Sequence, residues 1–313
     1  MTQPAAIEVR DLCKQYGPVL AVDRVSFAVR PGELVGFLGQ NGAGKSTTMR
    51  ILTTFLPASS GYAAVAGHDV LYRSREARAS LGYLPESVPL YPEMRVDEYL
   101  QYRAKLKRVD RTARTRRVDY CVERCRLKGV RRRLLGTLSK GYRQRVGLAD
   151  ALVADPPVLI LDEPLTGLDP VQQEETLNAV RELGGRHTVL FSSHHLPDVE
   201  KVCDRVIIID RGRLRFDQRL SDLRDAAPTL VVEVRGPHEQ VAGFLRDQPG
   251  VSAVAAGRPD DGVVRYTLTA RDAAGLREPL NRQLVERGWG VRRLDVERPK
   301  LEDTFLKVAF QRG

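Results

Sequence analysis

The chain has 313 residues, of which 42% are hydrophobic, 29% charged and 6% aromatic, a composition that excludes a disordered or membrane-spanning chain. No apolar run reaches the roughly 18 residues that a spanning helix requires. The opening stretch MTQPAAIEVRDL lacks the basic and apolar segments of a signal peptide, so we expect a cytoplasmic location. A chain of this length favours one large domain and one smaller domain.

The positive charge is concentrated in one segment of the chain. The net charge is +10, but residues 101–145 contain 17 Lys or Arg and 3 Asp or Glu, a balance of +14, so the remainder carries −4. Such a segment is either a solvated helical face or a surface for an anionic partner, meaning nucleic acid or phospholipid headgroups.

The N-terminal part of the chain is predicted to form strands around a loop. Residues 7–12 and 25–30 have the character of short strands, and a Pro-Gly turn separates them from a buried strand at 33–39. A glycine-rich loop and a helix follow directly. A strand before such a loop and a helix after it form the context in which the loop binds phosphate.

The middle of the chain predicts a helical insert followed by a parallel sheet. Apolar residues recur at three-and-four spacing between about 96 and 153, which indicates helices. The segments 156–164 and 187–195 are apolar runs of strand length, and the helical pattern 174–183 lies between them. This β-α-β rhythm predicts a parallel sheet with its functional residues at the carboxyl ends of the strands. Residues 205–216 read as a hairpin that closes the domain.

The C-terminal part of the chain has a different rhythm. After a polar joint beyond residue 220, the pattern reads β-α-β-β-α-β-α, which predicts a small ferredoxin-like α+β domain. We therefore expect an α/β domain over residues 1–220, with a helical insert at about 86–150, and an accessory domain over residues 228–313. The sequence assigns no role to the accessory domain.

The glycine-rich loop carries the strongest chemical signal. The stretch GQNGAGKS fits the pattern G-x-x-x-x-G-K-[ST] (Walker A), in which backbone N–H groups surround a phosphate chain at a helix N-terminus. Lys45 is expected to reach the β and γ phosphates of ATP, and Ser46 is expected to ligate Mg²⁺. The expected ATP contacts are Gly39, Gln40, Asn41, Gly42, Ala43, Gly44, Lys45, Ser46 and Thr47.

Two acidic residues, Asp162 and Glu163, directly follow an apolar strand. At the carboxyl end of a parallel sheet, we expect Asp162 to hold Mg²⁺ and Glu163 to activate the water that attacks the γ phosphate. The next strand ends in SSHH, and we expect His194 to lie near the same phosphate. The predicted catalytic residues are Lys45, Glu163 and His194.

A second candidate phosphate site lies in the stretch LSKGYRQR. Ser139 and Gly141 are expected to begin a helix and to offer N–H groups to an anion. A plain helix N-cap is the alternative interpretation of Ser139, since serine is a favoured cap residue.

The motifs together resemble a known family. GQNGAGKST, LSKGYRQR, LILDEP, TGLD and SSHHL occur in the order typical of ABC transporter nucleotide-binding subunits, and the resemblance covers residues 7 to about 216. It implies a P-loop NTPase fold with a peripheral antiparallel β subdomain, and an ATPase that works as a head-to-tail homodimer. Each ATP would lie between the glycine-rich loop of one copy and Ser139 and Gly141 of the other.

The same resemblance assigns two further residues. It implies that Tyr16 stacks on adenine and that Asp169, in TGLD, lines the dimer seam. A tyrosine on an edge strand with no ligand is the alternative interpretation of Tyr16.

Two positions depart from the family pattern. The usual signature is LSGGQ, whereas Lys140 and Tyr142 here replace its first glycine and its glutamine. The family also usually has a glutamine where this chain has Glu86, in the loop before the helical insert. The resemblance implies that this loop senses the γ phosphate and Mg²⁺, so we expect the Glu86 carboxylate, a hard-cation ligand, to face Mg²⁺. A place in a solvated turn is the alternative interpretation of Glu86.

A narrower resemblance concerns the type of transporter. The stretch GYLPES with its carboxylate and the C-terminal LEDTFLKV resemble the exporter branch that includes drug-resistance, copper-maturation and gliding-motility ATPases. This implies a separately encoded integral membrane permease as partner and a location at the inner face of the cell membrane. The alternative is a soluble ABC-type ATPase acting on nucleic acid or ribosomes, which the basic segment favours but the single cassette disfavours. No residue indicates the cargo.

Overall fold

The computed structural model describes residues 4–224 and 228–297, and the chain passes from one compact unit to a second after Leu220. Each unit has its own sheet structure and its own buried core. Among the helices in these described ranges, none is both long enough and apolar enough to cross a lipid bilayer.

The first unit contains two sheets. Its strands are β1 (Ile7–Tyr16), β2 (Val19–Val29), β3 (Leu34–Leu38), β4 (Ser60–Val65), β5 (His68–Asp69), β6 (Leu81–Leu84), β7 (Val158–Leu161), β8 (Thr188–Ser193), β9 (Arg205–Asp210) and β10 (Arg213–Arg219). Strands β2, β1, β4 and β5 form an antiparallel sheet in that order. The strand expected at 25–30 begins earlier, because β2 pairs with β1 along nearly its whole length.

The central sheet has the order β10-β9-β3-β8-β7-β6, and all of its pairs are parallel except β9 with β10. Every residue of β3, β7 and β8 is buried, which is why these segments read as continuous apolar runs. The register pairs Leu38 with Ser193 and Leu161 with Phe191. The loops that follow β3, β7 and β8 therefore emerge at one edge of the sheet, where the chemical motifs lie.

Helices cover the sheet and form the insert. They are α1 (Lys45–Leu52), α2 (Ser74–Ala79), α3 (Val96–Leu106), α4 (Arg111–Arg124), α5 (Lys140–Leu152), α6 (Pro170–Arg181) and α7 (Leu196–Val202). A further helix, α8 (Leu220–Arg224), lies where the chain passes into the second unit. The insert consists of α3, α4 and α5, with two 3₁₀ turns between α4 and α5. The thiols of Cys121 and Cys125 are buried in it, so both act as packing residues.

An ion pair joins two helices of the insert. The Arg103 Nε donates to Asp150 Oδ1 at 2.9 Å, and Lys107 Nζ lies 3.0 Å from the same oxygen. Burial lowers the pKa of Lys107, and the charge of Asp150 partly offsets this effect. These contacts connect the end of α3 to α5, the helix that begins with the signature sequence.

The second unit has a single antiparallel sheet. Its elements are β11 (Thr229–Arg235), α9 (His238–Arg246), β12 (Val251–Ala256), β13 (Val263–Ala270), α10 (Ala273–Glu286) and β14 (Gly290–Glu297). The strand order is β12-β13-β11-β14, and its core includes Leu230, Val232, Tyr266, Leu280 and Leu284. The final helix that the sequence predicts, near LEDTFLKV, lies outside the described residues.

Candidate active site

The glycine-rich loop leaves β3 and turns immediately into α1. Gly42 and Gly44 have φ angles of 82° and 107°, in the region that favours glycine. A Cβ atom on Gly44 would lie 2.6 Å from the carbonyl oxygen of Ala21, and one on Gly39 would lie 2.5 Å from that of Ile209. The loop therefore requires glycine for both its conformation and its close approach to neighbouring backbone.

Lys45, the first residue of α1, folds back over this loop. Its ammonium donates to the Gly39 carbonyl oxygen at 2.7 Å and lies 3.2 Å from Glu163 Oε1. Lys45 is 5% exposed and Glu163 is 8% exposed. A buried cation and a buried carboxylate thus compensate each other at the point where the phosphate chain is expected.

Two serine side chains donate hydrogen bonds to Asp162, which is 2% exposed. Ser46 Oγ donates to Asp162 Oδ1 at 3.3 Å, and Ser192 Oγ donates to the same oxygen at 2.7 Å. Ser192 Oγ also accepts from the backbone N–H of Glu163 at 2.8 Å. Burial and the negative charge of Asp162 raise the pKa of the nearby Tyr83 to about 12, so its phenol stays protonated.

Glu163 joins the glycine-rich loop to the end of β8. His194 Nδ1 lies 2.8 Å from Glu163 Oε2, and Thr166 Oγ1 donates to that oxygen at 3.4 Å. The backbone of Glu163 has a φ of 48°, a left-handed conformation that costs roughly 1 kcal/mol or more for a residue with a side chain. The surrounding hydrogen bonds hold this strained residue in one position, as expected of a functional group.

These side chains face a cavity of about 350 Å³. Its lining residues are Ala21, Gln40, Asn41, Gly42, Gly44, Lys45, Ser46, Thr47, Glu86, Glu163, Thr166 and His194. The structure therefore brings most of the predicted loop residues together with Glu86, Glu163 and His194. Asp162 lies behind this lining and reaches it through Ser46.

Some predicted residues do not line the cavity, namely Tyr16, Gly39, Ala43, Ser139, Gly141, Asp162 and Asp169. Tyr16 ends β1 with 43% of its surface exposed, and the Lys14 ammonium lies 5.2 Å from its ring centroid. Sequence reasoning gave no role to Ser192 or Thr166. The only signal for them was their position, at a strand end and three residues after Glu163.

The signature sequence begins α5, at a distance from this lining. Ser139 is the N-cap, and its Oγ accepts from the Tyr142 N–H at 3.4 Å. Gly141 is buried, and a Cβ there would overlap Gln172 Oε1 at the start of α6. The side chain of Lys140 packs over Gly167, so the start of α5 contacts both the TGLD loop and α6.

Asp169 ends that loop and caps the next helix. Its Oδ1 accepts from the Gln172 N–H at 2.9 Å, which makes it the N-cap of α6, and its own side chain is exposed. The start of α5 and the loop before α6 thus form one contiguous surface of the first unit.

Comparisons with known proteins place this site in a family. The ABC transporter family model matches residues 22–166. The chain is 34% identical over 302 residues to the ABC transporter ATP-binding protein YxlF of Bacillus subtilis, covering 96% of this chain and 99% of that protein. It is also 34% identical to the Nod factor export ATP-binding protein I of Burkholderia orbicola, covering 97% of each chain.

A solved structure described as the ATP-binding subunit of an ABC transporter superimposes with a TM-score of 0.65 and 30% identity, covering 70% of this chain and 92% of that one. The protein therefore belongs to the ABC transporter family, as an ATP-binding subunit with the P-loop NTPase fold. Within that family it is an ATP-hydrolysing subunit of a transporter complex.

Proposed function

We propose that this chain hydrolyses ATP to power a membrane exporter, and that the residues that carry out the hydrolysis are Lys45, Glu163 and His194. Support for export comes from the relative named for Nod factor export, which matches nearly the full length of this chain. In this proposal the permease is an integral membrane protein encoded separately. The subunit works in the cytoplasm at the inner face of the membrane.

Hydrolysis requires a positioned water and a stabilised γ phosphate rather than a covalent step. Lys45 neutralises charge on the β and γ phosphates. The water oxygen bonds to the γ phosphorus while the bond from that phosphorus to the bridging oxygen breaks and ADP leaves. Glu163 accepts a proton from the attacking water, and His194, 2.8 Å from its Oε2, orients the carboxylate. The observation that carries this proposal is the buried Lys45–Glu163 pair at the wall of the cavity.

The residues present suit a bound Mg²⁺. Ser46 supplies a hydroxyl and Asp162 a carboxylate, with 3.3 Å between the two oxygens, and Glu86 supplies a further carboxylate at the cavity wall. Oxygen ligands of this kind are those that Mg²⁺ prefers. When bound, the ion would neutralise phosphate charge, while Ser192 holds Asp162 in place.

The complete site contains two copies of the chain. Ser139 and Gly141 lie at an N-terminus suited to phosphate but do not line the cavity of their own chain, so they serve the ATP held by a second copy. In this homodimer Asp169 lies at the seam and Tyr16 stacks on the adenine ring, an arrangement that its exposed side chain permits.

We propose that the second unit, described here up to residue 297, corresponds to the accessory domain expected over residues 228–313. Its described elements follow the order β-α-β-β-α-β, and its sheet is antiparallel with the order β12-β13-β11-β14. These features support a ferredoxin-like fold. We propose that it stabilises the dimer, contacts the permease or binds a regulator. Deletion of the domain, followed by measurement of dimerisation and ATPase rate, would separate the first role from the other two.

The decisive experiment replaces Glu163 by glutamine. Glu163→Gln should bind ATP normally and hydrolyse it about a hundredfold more slowly, since a general base contributes roughly 10²–10⁴ in rate. ATP-bound dimers should then accumulate in size-exclusion chromatography with light scattering. The matched control is Glu174→Gln on α6, whose carboxylate pairs with Lys201 at the surface and which should hydrolyse ATP normally. Normal turnover by Glu163→Gln would remove Glu163 as the base.

A further inference from the structure

Two groups of cations can be distinguished within the helical insert. Further cations without an ion pair among the described residues are spread over α4, the segment between the two 3₁₀ turns and the start of α5, namely Arg114, Arg116, Arg132, Arg133, Lys140 and Arg143. In the first group, each cation has a carboxylate partner. These cations are Arg103 and Lys107 with Asp150, Arg117 with Asp155, Arg124 with Glu182, Arg126 and Arg145 with Glu175, Lys128 with Glu123, and Arg131 with Asp97 and Asp119. Much of the charge that the sequence assigns to this segment is thus neutralised within the fold.

The second group lies at the turn between α3 and α4. Lys105, Arg108 and Arg111 are exposed and have no carboxylate partner among the described residues. The acid within this stretch, Asp110, caps α4 by accepting from the Thr112 N–H at 2.8 Å. We call Lys105, Arg108 and Arg111 the basic turn.

Two members of the basic turn occupy positions where local structure favours other residues. Arg108 has a φ of 58°, where glycine or asparagine is favoured. Arg111 is the first residue of α4, and the first turn of that helix contains no acid, although the helix dipole favours acidic residues there. Residues that oppose local preference are expected at functional positions.

An apolar side chain lies within the same turn. Leu106 is 53% exposed, and Tyr102, one helical turn earlier, is 39% exposed. Exposed leucine and aromatic side chains beside lysine and arginine are typical of surfaces that rest in the headgroup region of a membrane. Specific nucleic-acid binding usually uses more phosphate contacts than these three cations supply.

We propose that the basic turn binds anionic phospholipid headgroups, with Leu106 reaching the boundary of the acyl chains. The proposal rests on the membrane location proposed above and adds the lipid class and the residues that recognise it. Lipid contact at α3 and α4 would hold the helical insert at the membrane independently of the permease.

The test uses the full chain and sedimentation with lipid vesicles. Wild type should bind vesicles of phosphatidylcholine and phosphatidylglycerol in equal parts, and bind phosphatidylcholine alone weakly. Combined Lys105→Gln, Arg108→Gln and Arg111→Gln should weaken binding to the anionic vesicles by about tenfold or more, since each basic residue contributes to attraction at such a surface. Added salt should weaken wild-type binding in the same direction.

The matched control removes equal charge from the second unit. Arg271, Arg277 and Arg282 are exposed, and their combined change to glutamine should leave vesicle binding intact. A separate Leu106→Gln variant should lose binding by a smaller factor that salt does not change. All of these variants should hydrolyse ATP at the wild-type rate without vesicles. A loss of vesicle binding can therefore be distinguished from a loss of ATPase activity, so the lipid proposal and the ATPase proposal can fail independently.

Two outcomes would overturn the lipid proposal. One is equal binding of the basic-turn variant and its control to anionic vesicles. The other is tighter binding of wild type to duplex DNA than to anionic vesicles at physiological salt, with loss of that DNA binding in the basic-turn variant.

Discussion

The glycine-rich loop and the start of α5 both present a helix N-terminus suited to phosphate, yet their surroundings differ. Lys45 at the loop is 5% exposed and pairs with Glu163, which is 8% exposed. Ser139 and Lys140 at the start of α5 are exposed, and the Ser139 hydroxyl is used only as a helix cap. The phosphate site at the glycine-rich loop has its charged groups paired within one chain. The site at the start of α5 has its polar groups directed outward.

In the proposed dimer, this difference assigns separate parts of the ATP site to the two chains. A buried set of charges must compensate itself, so the loop region is organised before any ligand arrives. The exposed N-terminus of α5 costs little while unliganded, because water satisfies its groups. A single chain should therefore bind ATP, and hydrolysis should need a second chain.

The largest effect is expected from Lys45→Ala. ATP affinity should fall by about a hundredfold, because hydrogen bonds to charged groups contribute roughly 1.5–3 kcal/mol each. The protein should also lose about 3 kcal/mol of stability, since Glu163 is left buried without its cation. Calorimetric titration with ATP and thermal unfolding measure the two effects.

Lys201→Ala is the control, because Lys201 and its partner Glu174 are both 54% exposed. It should change neither quantity appreciably. Unchanged ATP affinity in Lys45→Ala would mean that the glycine-rich loop and Lys45 do not bind ATP within a single chain.

The second prediction concerns the exposed phosphate site at the start of α5. Ser139→Ala should bind ATP as wild type does but lose at least about tenfold in ATPase rate, with roughly 1 kcal/mol lost from the cap itself. Mixed with Glu163→Gln, it should regain activity, because a head-to-tail heterodimer contains one site with Glu163 from one chain and Ser139 from the other. Asp272→Ala, which removes the N-cap of α10, controls for the lost cap alone.

If the mixture is no more active than the two variants apart, Ser139 acts within its own chain. The contrast between the two phosphate sites would then reflect burial only, and the dimer proposal would fail.

A third, smaller effect is expected at the cavity wall. Glu86 adds a carboxylate to a site that already holds Glu163 and Asp162, so like charges make the site depend more steeply on Mg²⁺. Glu86→Gln should flatten the curve of ATPase rate against Mg²⁺ concentration by a few-fold. Glu93 is an exposed residue of the same loop region outside the cavity, so Glu93→Gln should leave the curve unchanged. An unchanged curve for Glu86→Gln would show that Glu86 does not set the Mg²⁺ dependence.

The smallest effect is a dependence of stability on pH at the opposite edge of the sheet. His187 is buried beside β8, with Nδ1 2.7 Å from the Pro156 carbonyl oxygen, and burial lowers its pKa. The unfolded chain therefore takes up a proton first as pH falls through the ordinary histidine range, and the folded state loses stability. His187→Asn keeps a donor to Pro156 and should lose less stability between about pH 7 and about pH 5, measured by urea unfolding. Identical pH profiles would exclude His187 as the cause.

Much of the first unit could be predicted because its signals are local. The apolar runs that became β3, β7 and β8 are buried along their whole length, so composition alone identified them. The β-α-β rhythm then placed the loops after these strands at one edge. The start of β2 at Val19 was not predicted, because its first residues are held by pairing with β1 across the turn at Gly17 and Pro18, and we assigned no hairpin there.

The candidate site was predicted less completely than the sheet. Ser192 holds Asp162 and the backbone of Glu163 from a neighbouring strand, and no sequence pattern distinguishes it from any other serine at a strand end. The net charge of the insert was equally misleading. Its sequence balance of +14 conceals pairs such as Arg126 with Glu175, which join residues far apart in the chain.

The sequence by itself determined the residue types that ATP chemistry needs, since glycines, Lys45, Ser46, Asp162 and Glu163 occur at spacings that only a strand–loop–helix context explains. Tertiary structure alone decided which groups meet. Register across β3, β7 and β8 sets the 3.2 Å between Lys45 and Glu163 and the 2.8 Å between Glu163 and His194. Hydrogen bonds and ion pairs act over a few ångströms, so segments as far apart in the chain as those of Lys45 and Glu163 had to be folded together before these contacts could exist.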